Sequence, residues 1–103
     1  MKKTQMEVNR LNNYEGIFIV KPSLTDETSK KVLGQIEGEI SRNGGTIENL
    51  ENWGKKALAY SVKKNKEGMY YKVDFKIEPG KVTELNNTYR LNEDILKVMI
   101  IKK

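Results

Sequence analysis

Between Met69 and Ile77 the chain alternates without a break. Met69, Tyr71, Val73, Phe75 and Ile77 fall on one side, and Tyr70, Lys72, Asp74 and Lys76 on the other. Successive side chains of a strand point to opposite faces, so this run is a half-buried strand with one apolar and one wet face. A chain of 103 residues has room for one domain. That domain must therefore be built on a sheet that is covered on one side and open on the other.

The remaining elements follow from periodicity and breakers. Residues 1–13 show no period and are expected to be a flexible arm, with 14–103 a single domain. Tyr14 to Lys21 is rich in β-branched and aromatic residues and stops at Pro22, which predicts a central strand. Thr25 to Arg42 reads as a helix. Thr25 is its N-cap, Asp26 and Glu27 suit the positive end of its dipole, and Val32, Leu33, Ile36 and Ile40 form its apolar stripe. Gly34 and Gly38 weaken the helix, and their spacing suggests close approach to the sheet; Gly44-Gly45 stops it.

Thr46 to Lys64 reads as extended chain, bent at Gly54. In it Leu58, Tyr60 and Val62 alternate like inward residues. A turn over Asn65–Gly68 leads into the alternating strand. Val82, Leu85 and Tyr89 recur at helical spacing between Gly80 and Arg90, and Ile95 to Ile101 is a last strand. The order βαββαβ predicts an α+β, ferredoxin-like fold, a four-stranded mainly antiparallel sheet with two helices on one face.

Composition narrows the chemistry. The chain has no cysteine and no histidine, so disulfides, thiolate catalysis, Cys/His metal sites and imidazole general bases are excluded. No metal site and no cofactor is expected. The runs Ile17–Val20 and Val98–Ile101 are far shorter than the ~20 residues of a membrane helix, so no membrane partner is expected. The amino end carries Lys2 and Lys3 with no apolar stretch behind them and does not read as a secretory signal. The cytoplasm is the expected address. Nineteen basic residues against 14 acidic ones give a net charge of +5. Lys55, Lys56, Lys63, Lys64 and Lys66 occur with no acid among them, a pattern that suits phosphate but also a plain solvated edge.

A fold of this kind is open to three functions. A hydrolase would need an anion cradle and a positioned base. The glycines form neither G-x-G-x-x-G nor a P-loop, and Asp74 and Glu78 read as solvated strand charges, so neither an enzyme nor a small-molecule substrate is expected. An RNA-recognition motif shares the element order. Its third strand, however, needs stacking aromatics on the open face, and here Tyr71 and Phe75 share the core side, leaving one aromatic, Tyr70, among charges.

The third reading is a resemblance. Tyr14-Glu15, Gly44-Gly45, the segment Trp53-Gly54-Lys55-Lys56-Ala57-Leu58-Ala59-Tyr60, Glu67–Tyr71 and Tyr89–Met99 form an ordered series. The series, from about Tyr14 to Lys102, resembles the bacterial small-subunit ribosomal protein number six family. The resemblance implies a non-enzymatic protein of the small ribosomal subunit. It also implies binding to the central domain of 16S ribosomal RNA beside small-subunit ribosomal protein number eighteen during platform assembly. By position, Lys55, Lys56, Arg90 and Lys97 become the RNA-contact candidates, and Trp53, Leu58 and Tyr60 the candidate partner-protein surface.

Plainer readings stand beside these. The lysines would be solvated, Arg90 would cap helix carbonyls, and Trp53, Leu58 and Tyr60 would pack the core. A stand-alone RNA-binding or protein-interaction module is the alternative class. The chain departs from the family pattern at Ser61, where a proline is usual, and at Asn12-Asn13, where basic residues are usual. Lys2, Lys3 and Arg10 are the substitutes on the arm.

Overall fold

The structure, a computed structural model, describes residues 11–22 and 25–103. Strand β1 (Asn12–Val20) is followed by helix α1 (Asp26–Arg42), strands β2 (Thr46–Val62) and β3 (Asn65–Ile77), a 3-10 turn (Pro79–Lys81) leading into helix α2 (Val82–Arg90), and strand β4 (Ile95–Lys102). The four strands form one sheet in the order β2-β3-β1-β4. Every neighbouring pair is antiparallel. This is the expected βαββαβ architecture. The arm expected over residues 1–13 falls outside the described residues up to residue 10, and β1 already begins at Asn12, paired with Ile77.

The core lies where the alternation placed it. Tyr71, Val73, Phe75 and Ile77 of β3 and Phe18 and Val20 of β1 face Val32, Ile36 and Ile40 of α1 and Leu85 and Tyr89 of α2. Phe18, Ile36, Ile40, Val73, Phe75, Ile77 and Leu85 are fully buried. Burying one such side chain contributes about 1.5–3 kcal/mol, which is what holds the helices on this face.

The caps of α1 form as their residues dictate. The Thr25 hydroxyl accepts from the Thr28 N–H at 3.2 Å. At the other end Gly44 takes φ +83°. There the Gly45 N–H reaches the Ile40 carbonyl at 2.8 Å and the Gly44 N–H the Ser41 carbonyl at 3.0 Å, a Schellman ending.

Three expectations are corrected. Gly34 and Gly38 face solvent, and a Cβ at either would meet nothing within 4 Å. The close approaches occur instead at Gly45, where a Cβ would lie 2.7 Å from Ile40 Cγ2 and 2.8 Å from the Lys76 carbonyl, and at Gly68, where it would collide with Ile19 Cγ2. The hairpin turn is not Asn65–Gly68 but Lys63-Lys64, both left-handed at φ +49° and +68°, with Val62 paired to Asn65. Two left-handed central residues match the twist of a hairpin, so tertiary pairing overrides the usual glycine or asparagine preference. Finally, Leu58, Tyr60 and Val62 are not core. Between the pairs Ala57↔Glu67 and Val62↔Asn65, β2 has four residues where β3 has one. That surplus takes Leu58 and Tyr60 out of the simple alternation.

Candidate nucleic-acid and partner interface

The site is assembled by the β2–β3 hairpin and the sheet face that carries no helix. Gly54, at φ +84°, forms the bend expected there, and the register slips between Asn52 and Gly54. The Asn52 carboxamide oxygen accepts from the Gly54 N–H at 2.8 Å and fixes this bulge. Trp53 is the residue thrown outward. The residue is 42% exposed, and its Nε1 donates to Glu51 Oε1 at 2.9 Å.

The adjacent lysines diverge. Lys55 pairs with Met69, a residue packed against the helix-side core, whereas Lys56 pairs with Gly68 on the open side. Lys56 Nζ lies 5.3 Å from the Trp53 ring centroid and 5.8 Å from that of Tyr70. It is thus held between two aromatic faces by cation–π attraction. Strand alternation by itself implies this separation, so the two lysines cannot serve one flat surface.

Beyond Lys56 the hairpin tip curls over the open face. Lys63 Nζ donates to the Ile95 carbonyl at 3.2 Å, tying the tip to the start of β4. Ile19 and Leu96 are buried although neither belongs to the main core cluster. Leu96 is left unpaired by a register shift in β4, and it approaches Gly68 beside Ile19. A second, small apolar cluster therefore sits on the open face. Next to it is a recess of about 190 Å³ lined by Ile19, Leu58, Tyr60, Tyr70, Lys97 and Met99, among others. Tyr60 is 83% exposed.

Lys97 is thus brought together with Leu58 and Tyr60, while Trp53 and Lys56 form a neighbouring pair on the same face. Arg90 stands apart, exposed in the last turn of α2, in the helical layer. Among the described residues it makes no ion pair or side-chain hydrogen bond, so its capping role is not realised; backbone N–H groups of Leu91 and Asn92 close that helix instead. Met99 and Ile101, which sequence reasoning passed over, are exposed on the open face. The signal was present, because an unbroken apolar strand at a sheet with one open side must expose every second residue.

The far half of the open face is neutralised internally. Glu15 and Asp74 pair across β1 and β3, a like-charge contact that Lys72 resolves at 3.1 Å from Glu15 and 3.7 Å from Asp74. Lys103 adds a contact to Asp74 Oδ1 at 3.0 Å. Asp74 is buried rather than a solvated charge, contrary to expectation, because these long side chains cover it. Its Oδ1 has no well-angled hydrogen bond, so the ammonium groups compensate it. Contact with Lys103, reinforced by Lys72, holds this carboxyl below its ordinary value of 3.8 despite burial. The hydrogen bond to Glu15 holds Lys72 above 10.5.

Among the described residues no group of acidic side chains is placed to hold a metal ion, and no helix is long and apolar enough to cross a membrane. What the geometry defines is a small α+β domain whose sheet presents exposed aromatics, exposed aliphatics and lysines on one face.

Comparison with known proteins gives the family. Residues 13–102 match the family model described as ribosomal protein S6. The small ribosomal subunit protein bS6 of Clostridium novyi is 35% identical over 91 residues, covering 88% of this chain and 96% of that protein. Its counterpart in Helicobacter hepaticus is 43% identical over 89 residues, covering 86% of this chain but 65% of a longer protein. The crystal structure of 30S ribosomal protein S6 from Thermotoga maritima superimposes with a TM-score of 0.83 at 26% identity, covering 90% of this chain and 88% of that one. The chain belongs to the ribosomal protein S6 family of the small ribosomal subunit. Members of this family are structural ribosomal proteins rather than enzymes, and the subunit they belong to is cytoplasmic.

Proposed function

We propose that this protein docks on the central domain of 16S ribosomal RNA together with small-subunit ribosomal protein number eighteen during assembly of the platform. Family membership supports the subunit. The observation that carries the docking is the division of one sheet face into an apolar part and a lysine-rich end that is free of acid from Gly54 to Lys66. Lys56, Lys97 and the tip lysines neutralise phosphates at that end and release counterions, which positions the protein without reading sequence. Lys55 and Arg90 reach RNA only if it also wraps onto the helix side.

The partner-protein surface divides as well. Trp53 at one margin and Met99 and Ile101 at the other offer exposed apolar anchors of the kind interfaces use. Leu58 and Tyr60 belong to the recess beside Lys97.

A filter-binding salt titration of the full chain on a 16S central-domain fragment, with and without protein number eighteen, tests the reading. Engagement of about four phosphates gives a log–log slope of about −3 to −4. A flat titration under both conditions overturns it. Migration at the top of a sucrose gradient of cell lysate, away from small subunits, would favour a stand-alone RNA-binding module instead.

A further inference from the structure

We infer that the recess under the hairpin tip seats a single unpaired nucleotide, its base against the rings of Tyr60 and Tyr70 and its phosphate toward Lys97. The inference rests on the RNA-docking reading above and names what one part of that surface recognises.

Four observations converge. The recess, about 190 Å³, falls below the ~300 Å³ at which pockets for drug-sized ligands begin, so it suits one flat ring and not a folded segment. Its walls supply aromatic faces and aliphatic edges, the surfaces on which bases stack whatever their sequence. Its mouth is cationic. Lys97 lines it, and the tip carries Lys63, Lys64 and Lys66 with no acid before Glu67.

The recess is also built rather than incidental. It exists because four residues of β2 oppose one of β3, because Gly68 leaves room for Ile19, and because Lys63 is tied to the Ile95 carbonyl. A tyrosine 83% exposed beside such a hollow contributes little to the fold. Charge decides between RNA and an apolar side chain of a partner protein, since an apolar side chain has no use for Lys97 in the wall and for the lysines of the adjoining tip.

The test uses the full chain at low salt and two labelled probes read by fluorescence anisotropy: a 12-nucleotide oligoadenylate, and a blunt RNA duplex carrying the same number of phosphates. Tyr60→Ala should weaken oligoadenylate binding about tenfold and change duplex binding less than twofold. Tyr60→Phe should restore oligoadenylate binding. Circular dichroism checks that the fold is kept.

If Tyr60→Ala binds oligoadenylate like the wild type while Lys97→Glu weakens both probes, RNA docking stands and the nucleotide seat is wrong. If the wild type binds neither probe, nor the central-domain fragment with protein number eighteen present, the docking reading itself fails. If Tyr60→Ala loses only affinity for protein number eighteen, the recess seats a protein side chain and the inference is overturned.

Discussion

The Tyr89 hydroxyl donates a 2.6 Å hydrogen bond to the backbone carbonyl of Ile36 and so ties α2 to α1 inside the core. The Tyr89 ring meets Phe18 edge-on at 4.9 Å, so one side chain links both helices to β1. Tyr89→Phe keeps the packing and removes the bond. A urea titration should show a loss of about 1–2 kcal/mol with an unchanged m value. Burial, helped by the Glu39 charge, holds this phenol well above its ordinary value of 10.0. Its stabilising contribution is therefore complete below pH 10 and is lost as pH rises toward the folded value. Absorbance titration should find Tyr89 ionising well above the ordinary phenol value of 10.0.

Glycines that read alike in the sequence should behave oppositely. Gly34→Ala and Gly38→Ala add a methyl to open space on α1 and should each stabilise by up to about 1 kcal/mol. Gly68→Ala drives a methyl into the buried Ile19 and should cost about 1–3 kcal/mol. Thermal unfolding of the three variants checks the signs.

Asp74 makes stability acid-sensitive. Its folded value lies below 3.8 because of Lys103 first and Lys72 second, so its contribution is present above that ordinary value and is lost as pH falls through the lowered one. Asp74→Asn should be less stable than the wild type at pH 7, and the two unfolding curves should draw together as the pH is taken down to 2. A gap that persists at the lowest pH would assign the loss to packing.

Lys55 and Lys56 should not be equivalent. Lys56 shares the open face with Trp53, Tyr70 and the lysine-rich tip, whereas Lys55 points to the helix side. The double variant Lys55→Glu with Lys56→Glu should lower incorporation into small subunits on gradients while leaving the fold intact. Lys56→Glu alone should account for most of that loss and reduce the salt slope for RNA by about 1. Equal effects from the two single variants would mean that RNA wraps around the hairpin edge.

Much of the fold was legible because its signals are local. Alternation from Met69 to Ile77, the stripe Val32–Leu33–Ile36–Ile40, the Thr25 cap and the Gly44-Gly45 stop each act within a turn or a strand. The interface was less legible. A period of two places Leu58 and Tyr60 inward, and nothing nearby in sequence announces that β2 gains extra residues against β3. The burial of Asp74 was hidden for the same reason, since Lys103 reaches it from the other end of the chain.

Sequence alone determined the element order, the core face of β3, the absence of thiol and imidazole chemistry and the family. Only the tertiary structure decided which aromatics reach the open face, that Lys56 settles between Trp53 and Tyr70, and that a lysine-tied tip shelters a recess. The physical reason is that periodicity is enforced residue by residue along the backbone. Bulges, register shifts and charge clusters are instead settled between strands far apart in the chain, where pairing and packing outweigh local preference.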